Sequence, residues 1–422
     1  MCIRDSLIIF GIIAILGMKV ITWVMNILAA VTLFGIVTNL AIPLASSPMD
    51  AVNGWNAVFG SGTYEAIVKA AFNVNNGTPQ IPIFKGKPLV APESWDATIG
   101  ASFGAVWAYV GITGVVYIGG ELKTPARTVI LSELLSLAVI GSYYILLPYV
   151  IYSTWTVPKS LLDSLGITPV LQEAGVPPSQ VKFQSLYNYV YNLAGGDPKK
   201  FADLGVNFVS VGGQTAIPIP GSITTYVVSL APGNVALQLA NAFAVGLIFL
   251  KDLPALLIVT SRMVFSWAFD RFFPEMFAAV NDRFHSPHWA ILLVALSALV
   301  GSTMVATMGR WVGTVSTTLL FQFGVSMTCL MAIVFPWIRR ELYEMGPKIE
   351  VFGIPLITIL GLIGFPVNFF FFLWVVTTML LPHVIFQVIC MTIGAMIFAG
   401  MLVYNMKRGV DVKSIYAEVP PA

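Results

Sequence analysis

The chain has 422 residues, of which 57% are hydrophobic and only 10% charged, with a net charge of +2 and a mean hydropathy of +0.85. Soluble domains carry about 25% charged residues, so this composition excludes a soluble enzyme, and the small net charge gives no footing for nucleic acid. Cys2, Cys329 and Cys390 have no paired spacing, which argues against a disulfide framework or a zinc site. Apolar runs of spanning length recur, and one polytopic membrane domain is the reading they favour.

The opening hexapeptide, residues 1–6 (MCIRDS), has the look of a translated adapter scar, and the apolar stretch Leu7 to Met18 that follows is too short for the roughly 20 residues a bilayer requires. It also lacks the small-residue cleavage site of a signal peptide. The expectation is a helix end whose upstream part is missing. Eight further spans are predicted near Val20–Ala45, Ile99–Gly119, Thr128–Trp155, Asn234–Phe269, Trp289–Met308, Val312–Phe335, Phe352–Leu380 and Leu381–Tyr404. The Asn234–Phe269 run holds Lys251, Asp252 and Pro254, which predicts a kinked, tilted or divided helix.

Threading the spans alternately places Lys19, Lys123, Arg127, Arg271, Arg283, Arg339, Arg340, Lys348, Lys407, Arg408 and Lys413 on one side. The short connections of the other side hold only Arg310. The positive-inside rule makes the first side cytoplasmic, together with the C-terminal tail. The long loops 46–98 and 156–233 then lie outside. In them, Thr63–Phe72 reads as helix-like and Leu161–Leu165 and Phe183–Leu193 as amphipathic, whereas Val206–Val211 and Thr224–Ser229 read as strand-like. Loops of this length in a compact protein are usually functional or disordered, and here an ordered cap over an outer vestibule is expected.

The most informative stretch runs from Phe103 to Arg127. Gly104, Gly111 and Gly114 fall inside one apolar span and Gly119-Gly120 at its inner end. Each interior glycine costs about 1 kcal/mol of helix propensity against alanine. Close helix packing explains glycines in membranes. The alternative is a broken helix, which survives in lipid only where it lines a cavity. Such a break offers free N–H groups and a positive dipole end to an anionic substrate group.

The order Trp107-Ala108-Tyr109-Val110-Gly111, then Gly120-Glu121 and Lys123-Thr124-Pro125-Ala126-Arg127, resembles the sixth helix of amino acid permeases of the amino acid–polyamine–organocation superfamily. A second motif, from Ser261-Arg262 through Phe265, Ala268 and Asp270 to Pro274, with Val280-Asn281 and Pro287 beyond, is similar to the inner end of that family's eighth helix. The resemblance covers residues 7 to 404. It implies an all-α polytopic fold of two inverted five-helix repeats plus two helices, with the first three helices missing. Residues 7–45 would then be the remnant of the first repeat (the end of helix four, then helix five). Residues 99–335 would be helices six to ten, 336–404 helices eleven and twelve, and 405–422 a cytoplasmic tail.

The resemblance further implies a small-molecule amino acid substrate held at Tyr109, Val110, Gly111, Ile112 and Thr113, with Trp107 and Tyr109 as gating aromatics. The family often places an acid where Thr113 stands when it handles cations, so a neutral amino acid is expected. Lys251 and Asp252 are candidates for coupling to a proton, preferred over sodium, because ionisable groups within a span are costly and raise a functional reading. Snorkelling or local pairing is the competing account. Glu121, Arg127, Asp270 and Arg271 are candidates for an inner gate, and Glu133 falls near them; solvated helix ends are the plainer reading. His285, His288 and His383 lack metal-ligand spacing and are read as structural. No cofactor, metal or catalytic residue is expected, and no nucleotide-binding fingerprint is present. The rivals are an amine or polyamine transporter of the same fold, and a non-transporting receptor or assembly subunit whose outer loops bind a partner.

Overall fold

The computed structural model describes residues 2–74, 77–84, 86–90, 95, 98–99, 101–102, 109, 111–122, 124–308, 317–346, 348–378 and 381–411. Among these, seven helices are long and apolar enough to cross a membrane, within Met18–Leu44, Arg127–Thr154, Val235–Phe269, His288–Thr307, Leu319–Ile338, Leu356–Thr377 and Val384–Lys407. The chain is an integral, multi-pass helical membrane protein. The helices themselves are α1 (Cys2–Ile15), α2 (Met18–Leu44), α3 (Pro48–Phe59), α4 (Thr63–Ala71), α5 (Pro125–Thr154), α6 (Lys159–Ser164), α7 (Thr168–Glu173), α8 (Phe183–Ala194) and α9 (Pro198–Asp203). They continue with α10 (Ile223–Ser229), α11 (Val235–Phe269), α12 (His288–Met308), α13 (Thr317–Ile338), α14 (Arg340–Met345), α15 (Leu356–Thr378) and α16 (Leu381–Lys407).

The spanning helices are apolar around most of their circumference, and their side chains stay uncovered: Ile145 is 72% exposed and Leu362 56%. A helix apolar on all sides belongs in lipid or a large core. Here lipid tails are the natural partner of these faces. α11 is one continuous helix of 35 residues that runs through Pro254, not two pieces. At about 1.5 Å per residue it is roughly 52 Å long, well beyond a ~30 Å hydrocarbon core.

The described residues form two compact units, divided within α2, α5 and α11. One contains residues 1–21, 99–130 and 253–422. In it α1 packs on α12, with Gly11 facing Ala295. α13 and α15 pack closely along much of their length. A Cβ on Gly361 would lie 2.7 Å from the Cys329 carbonyl oxygen and 3.0 Å from the Ile333 nitrogen, and Thr358 Oγ1 donates to the Ile333 carbonyl at 3.3 Å. Small residues let membrane helices approach this closely.

The other unit contains residues 22–98 and 131–252. The two long loops build one water-type hydrophobic core, in which Trp55, Tyr64, Phe72, Trp155, Phe183, Tyr187 and Phe201 are fully buried. Trp55 sits at its centre, with ring centroids of Phe59, Phe183 and Tyr187 at 4.5, 4.8 and 5.1 Å. Tyr64 and Phe183 stack at 3.9 Å. Where they are described, the two loops thus fold together around one core and are called the cap below. Its first helix, α3, escaped the pattern of apolar residues, although Ser47 and Asp50 form a capping box around Pro48 at its first position. Residues 224–229 are helical, against the strand expected of a Thr/Tyr/Val-rich run: α10 buries Tyr226, Val227 and Ser229, and that packing outweighs β propensity. The strand at Ser210–Val211 pairs instead with Gln214–Thr215 across Gly212-Gly213, both at positive φ, as a two-residue hairpin turn requires.

Three spanning helices are tied to this cap. Thr154 Oγ1 donates to the Pro43 carbonyl at 2.9 Å, joining α5 to α2. Asn241 Nδ2 donates to Thr38 Oγ1 at 2.6 Å and Asn39 Oδ1 at 3.1 Å, joining α11 to α2. Gln238 Nε2 reaches the Val228 and Ala231 carbonyls, each at 3.1 Å, fixing the start of α11 against the end of α10. Asn241 is fully buried; such an amide in a membrane finds its partners on other helices.

Candidate substrate site

The Phe103–Arg127 stretch is not an ordinary spanning helix where the structure describes it. Ile112–Glu121 is a 3₁₀-helix of ten residues. Its ends show the tighter hydrogen-bond pattern, with Gly114 N–H to the Gly111 carbonyl and Leu122 N–H to the Gly119 carbonyl, both 3.2 Å. Runs of 3₁₀ beyond three or four residues are uncommon and mark hinges or strained sequence. The local cause is composition: Ile112, Thr113, Val115, Val116 and Ile118 are β-branched, and they alternate with Gly114, Gly119 and Gly120. Both classes are poor α-helix formers. At about 2.0 Å per residue the run covers roughly 20 Å, against about 15 Å for an α-helix of the same length.

The glycines differ in their surroundings. A Cβ on Gly114 would meet Val259 Cγ2 of α11 at 3.6 Å, an ordinary contact. A Cβ on Gly111, Gly119 or Gly120 would meet no atom within 4 Å among the described residues. Gly111 has φ −76° and ψ −13°, a conformation open to any residue. Neither a left-handed backbone nor close packing among the described residues explains its missing side chain. What its absence leaves is bare backbone with no described atom packed against it.

The predicted site residues fall as follows. Trp107 and Val110 lie outside the described residues. Tyr109 is half-buried, Gly111 exposed and Thr113 half-buried, while Ile112 and Glu121 open and close the 3₁₀-helix. Arg127 is exposed in the first turn of α5. Asp270 ends α11 with its N–H on the Ser266 carbonyl at 2.8 Å. Arg271 follows at φ +61°, and its carbonyl accepts from Asn405 Nδ2 of α16 at 2.8 Å. This tether, and the exposed ion pair of Glu275 with Arg408 at 3.4 Å, carried no motif by which the sequence could reveal them. Lys251 is half-buried and Asp252 exposed, about 24 Å along α11 from Val235. His285 and His288 belong to the loop before α12 and the first turn of that helix; His383 is in α16. Among the described residues no three His, Cys, Asp or Glu side chains are grouped as metal ligands.

The sequence profile described as amino acid permease matches residues 6–406. The chain belongs to that family, within the amino acid–polyamine–organocation superfamily. It is thus a transporter and not an enzyme, and the substrate class of the permease is a small-molecule amino acid. No curated protein and no solved structure matches the chain.

Proposed function

We propose that this permease is a secondary active transporter of a neutral amino acid that works by alternating access. The observation that carries the reading is the exposed Gly111 backbone at the head of the Ile112–Glu121 3₁₀-helix, within an otherwise apolar membrane segment. Polar backbone in lipid is tolerated where it faces a cavity or its occupant. Backbone N–H groups there suit a carboxylate, and the family resemblance assigns Trp107 and Tyr109 as the gating aromatics. Thr113 supplies a hydroxyl and no charge, which favours a neutral side chain. The helices map onto the second of two inverted repeats and the end of the first. We place the permease in the plasma membrane, and the distribution of Lys and Arg supports a cytoplasmic C-terminus with the cap on the other side.

Proton coupling is assigned to Lys251, with Asp252 beside it, because an ionisable pair midway along a spanning helix is costly unless used. Glu121, Arg127, Asp270 and Arg271 are the inner gate. The test is uptake of a panel of labelled amino acids and amines into vesicles containing the full chain, driven by an imposed pH or sodium gradient. Gly111→Val fills the space beside the backbone without an evident clash. It is expected to abolish uptake and substrate-induced thermal stabilisation while leaving the melting temperature of the unliganded protein within a few degrees. Unchanged substrate stabilisation in this variant removes Gly111 from the site, and uptake of amines alone favours the amine-transporter alternative.

A further inference from the structure

The junction between α1 and α2 faces a cavity of about 600 Å³ lined by Leu16, Gly17, Met18, Lys19, Arg262, Phe265, Val280, Arg283, Phe284, His285 and Pro287. Its chemistry is one-sided. Lys19, Arg262, Arg283 and His285 line it, and no Asp or Glu does so among the described residues. The remaining lining is largely apolar and aromatic.

The walls are held by short-range contacts. Gly17 stands at φ +98°, and a Cβ there would lie 2.6 Å from the Phe284 carbonyl oxygen, so only glycine lets the junction close on the loop. Ser286 Oγ donates to the Ile15 carbonyl at 2.8 Å. Asn281 Oδ1 accepts from the Arg283 and Phe284 N–H groups at 2.9 and 3.0 Å. The Arg283 guanidinium lies 5.3 Å from the Phe284 ring centroid. Arg262 is only 7% exposed, with Nη1 donating to Ser261 Oγ at 3.2 Å. It sits about 10 Å before the end of α11, whereas Lys19 is in the first turn of α2. The cavity thus extends from the ends of spanning helices into their length.

We propose that this cavity binds the head group of an anionic phospholipid, its phosphate among Lys19, Arg262 and Arg283 and its glycerol and upper acyl atoms against Phe265, Val280 and Phe284. The apolar half of the lining and the depth of the helix ends favour a lipid over a soluble anion. Basic pockets between membrane helices recognise such head groups by charge, each Lys or Arg contributing about fivefold to affinity near the surface.

The test is native mass spectrometry of the full chain extracted from equimolar phosphatidylglycerol and phosphatidylcholine vesicles. Phosphatidylglycerol is expected to be retained at least fivefold over phosphatidylcholine. Lys19→Gln and Arg283→Gln, both at exposed positions, are each expected to reduce that preference about fivefold without changing the melting temperature in phosphatidylcholine. Arg262→Gln is a third variant, read only if it melts normally. Equal retention of the two lipids, or a preference that survives the Lys19→Gln/Arg283→Gln double substitution, overturns the proposal. Inorganic phosphate is added separately to protein in phosphatidylcholine alone. Stabilisation there without selective lipid retention assigns the cavity to a soluble anion and overturns the lipid assignment.

Discussion

Trp55→Ala tests whether the long loops fold as one body. The indole is fully buried and lies within 6.1 Å, centroid to centroid, of Phe59, Trp155, Phe183, Tyr187 and Tyr226. Its Nε1 has no hydrogen-bond partner among the described residues, so truncation there forfeits packing and burial and no polar contact. Removing a core Trp costs about 3–5 kcal/mol. At about 1.4 kcal/mol per factor of ten, the open form of the cap becomes roughly 10² to 4 × 10³ times more populated. Limited proteolysis within residues 46–98 and 156–233 follows that population when reclosing is fast, and cleavage is expected to accelerate by a similar factor. Trp55→Phe keeps most of the ring contacts and is expected to accelerate it far less. Cleavage of Trp55→Ala at the wild-type rate would refute the single-core argument.

Gly361→Val drives a branched side chain into the Cys329 carbonyl and Ile333; thermal unfolding in detergent is expected to fall as α13 and α15 separate, by the roughly 1–3 kcal/mol of an overpacked contact or more. The Ser47 backbone and side chain hold the Asp50 carboxyl below its ordinary value of 3.8. The ionised form is therefore favoured by the fold: its contribution is complete above that ordinary value and disappears as pH falls through the lower folded-state value. Asp50→Asn is expected to flatten that acid limb of cap stability, followed by proteolysis against pH, and Ser47→Ala to cost about 1 kcal/mol as a lost cap. Lys251→Ala is expected to lower uptake driven by a pH gradient at least tenfold; an identical rate and pH profile leaves the lysine a snorkelling residue.

The membrane helices were the legible part of the chain. Long apolar runs leave little choice in lipid, and α2, α5, α11, α12, α15 and α16 lie close to the limits set by hydropathy alone. The expected start of α13 at Val312 lies outside the described residues, which resume within this helix at Thr317. The cap was legible only in pieces. Its core is made of aromatics far apart in sequence, such as Trp55, Trp155 and Tyr226, with no period to announce that they meet. α10 misled because propensity was weighed without knowing that Tyr226 would be buried. At the candidate site, glycines and β-branched residues signalled a segment ill-suited to α-helix, and the structure shows 3₁₀ geometry over 112–121. The open flank of Gly111 depends on what other segments leave vacant. Tertiary placement of that kind is written in no local pattern, and the Arg271–Asn405 tether shows the same limit.

The cap's attachment to α2, α5 and α11 restricts how a transport cycle can proceed. With Thr154 on Pro43, Asn241 on Thr38 and Asn39, and Gln238 on the turn after α10, the three helix ends share one rivet. Splaying them apart would strip the aromatic core and expose rings that now see no solvent. Any displacement of these three ends therefore carries the cap with it.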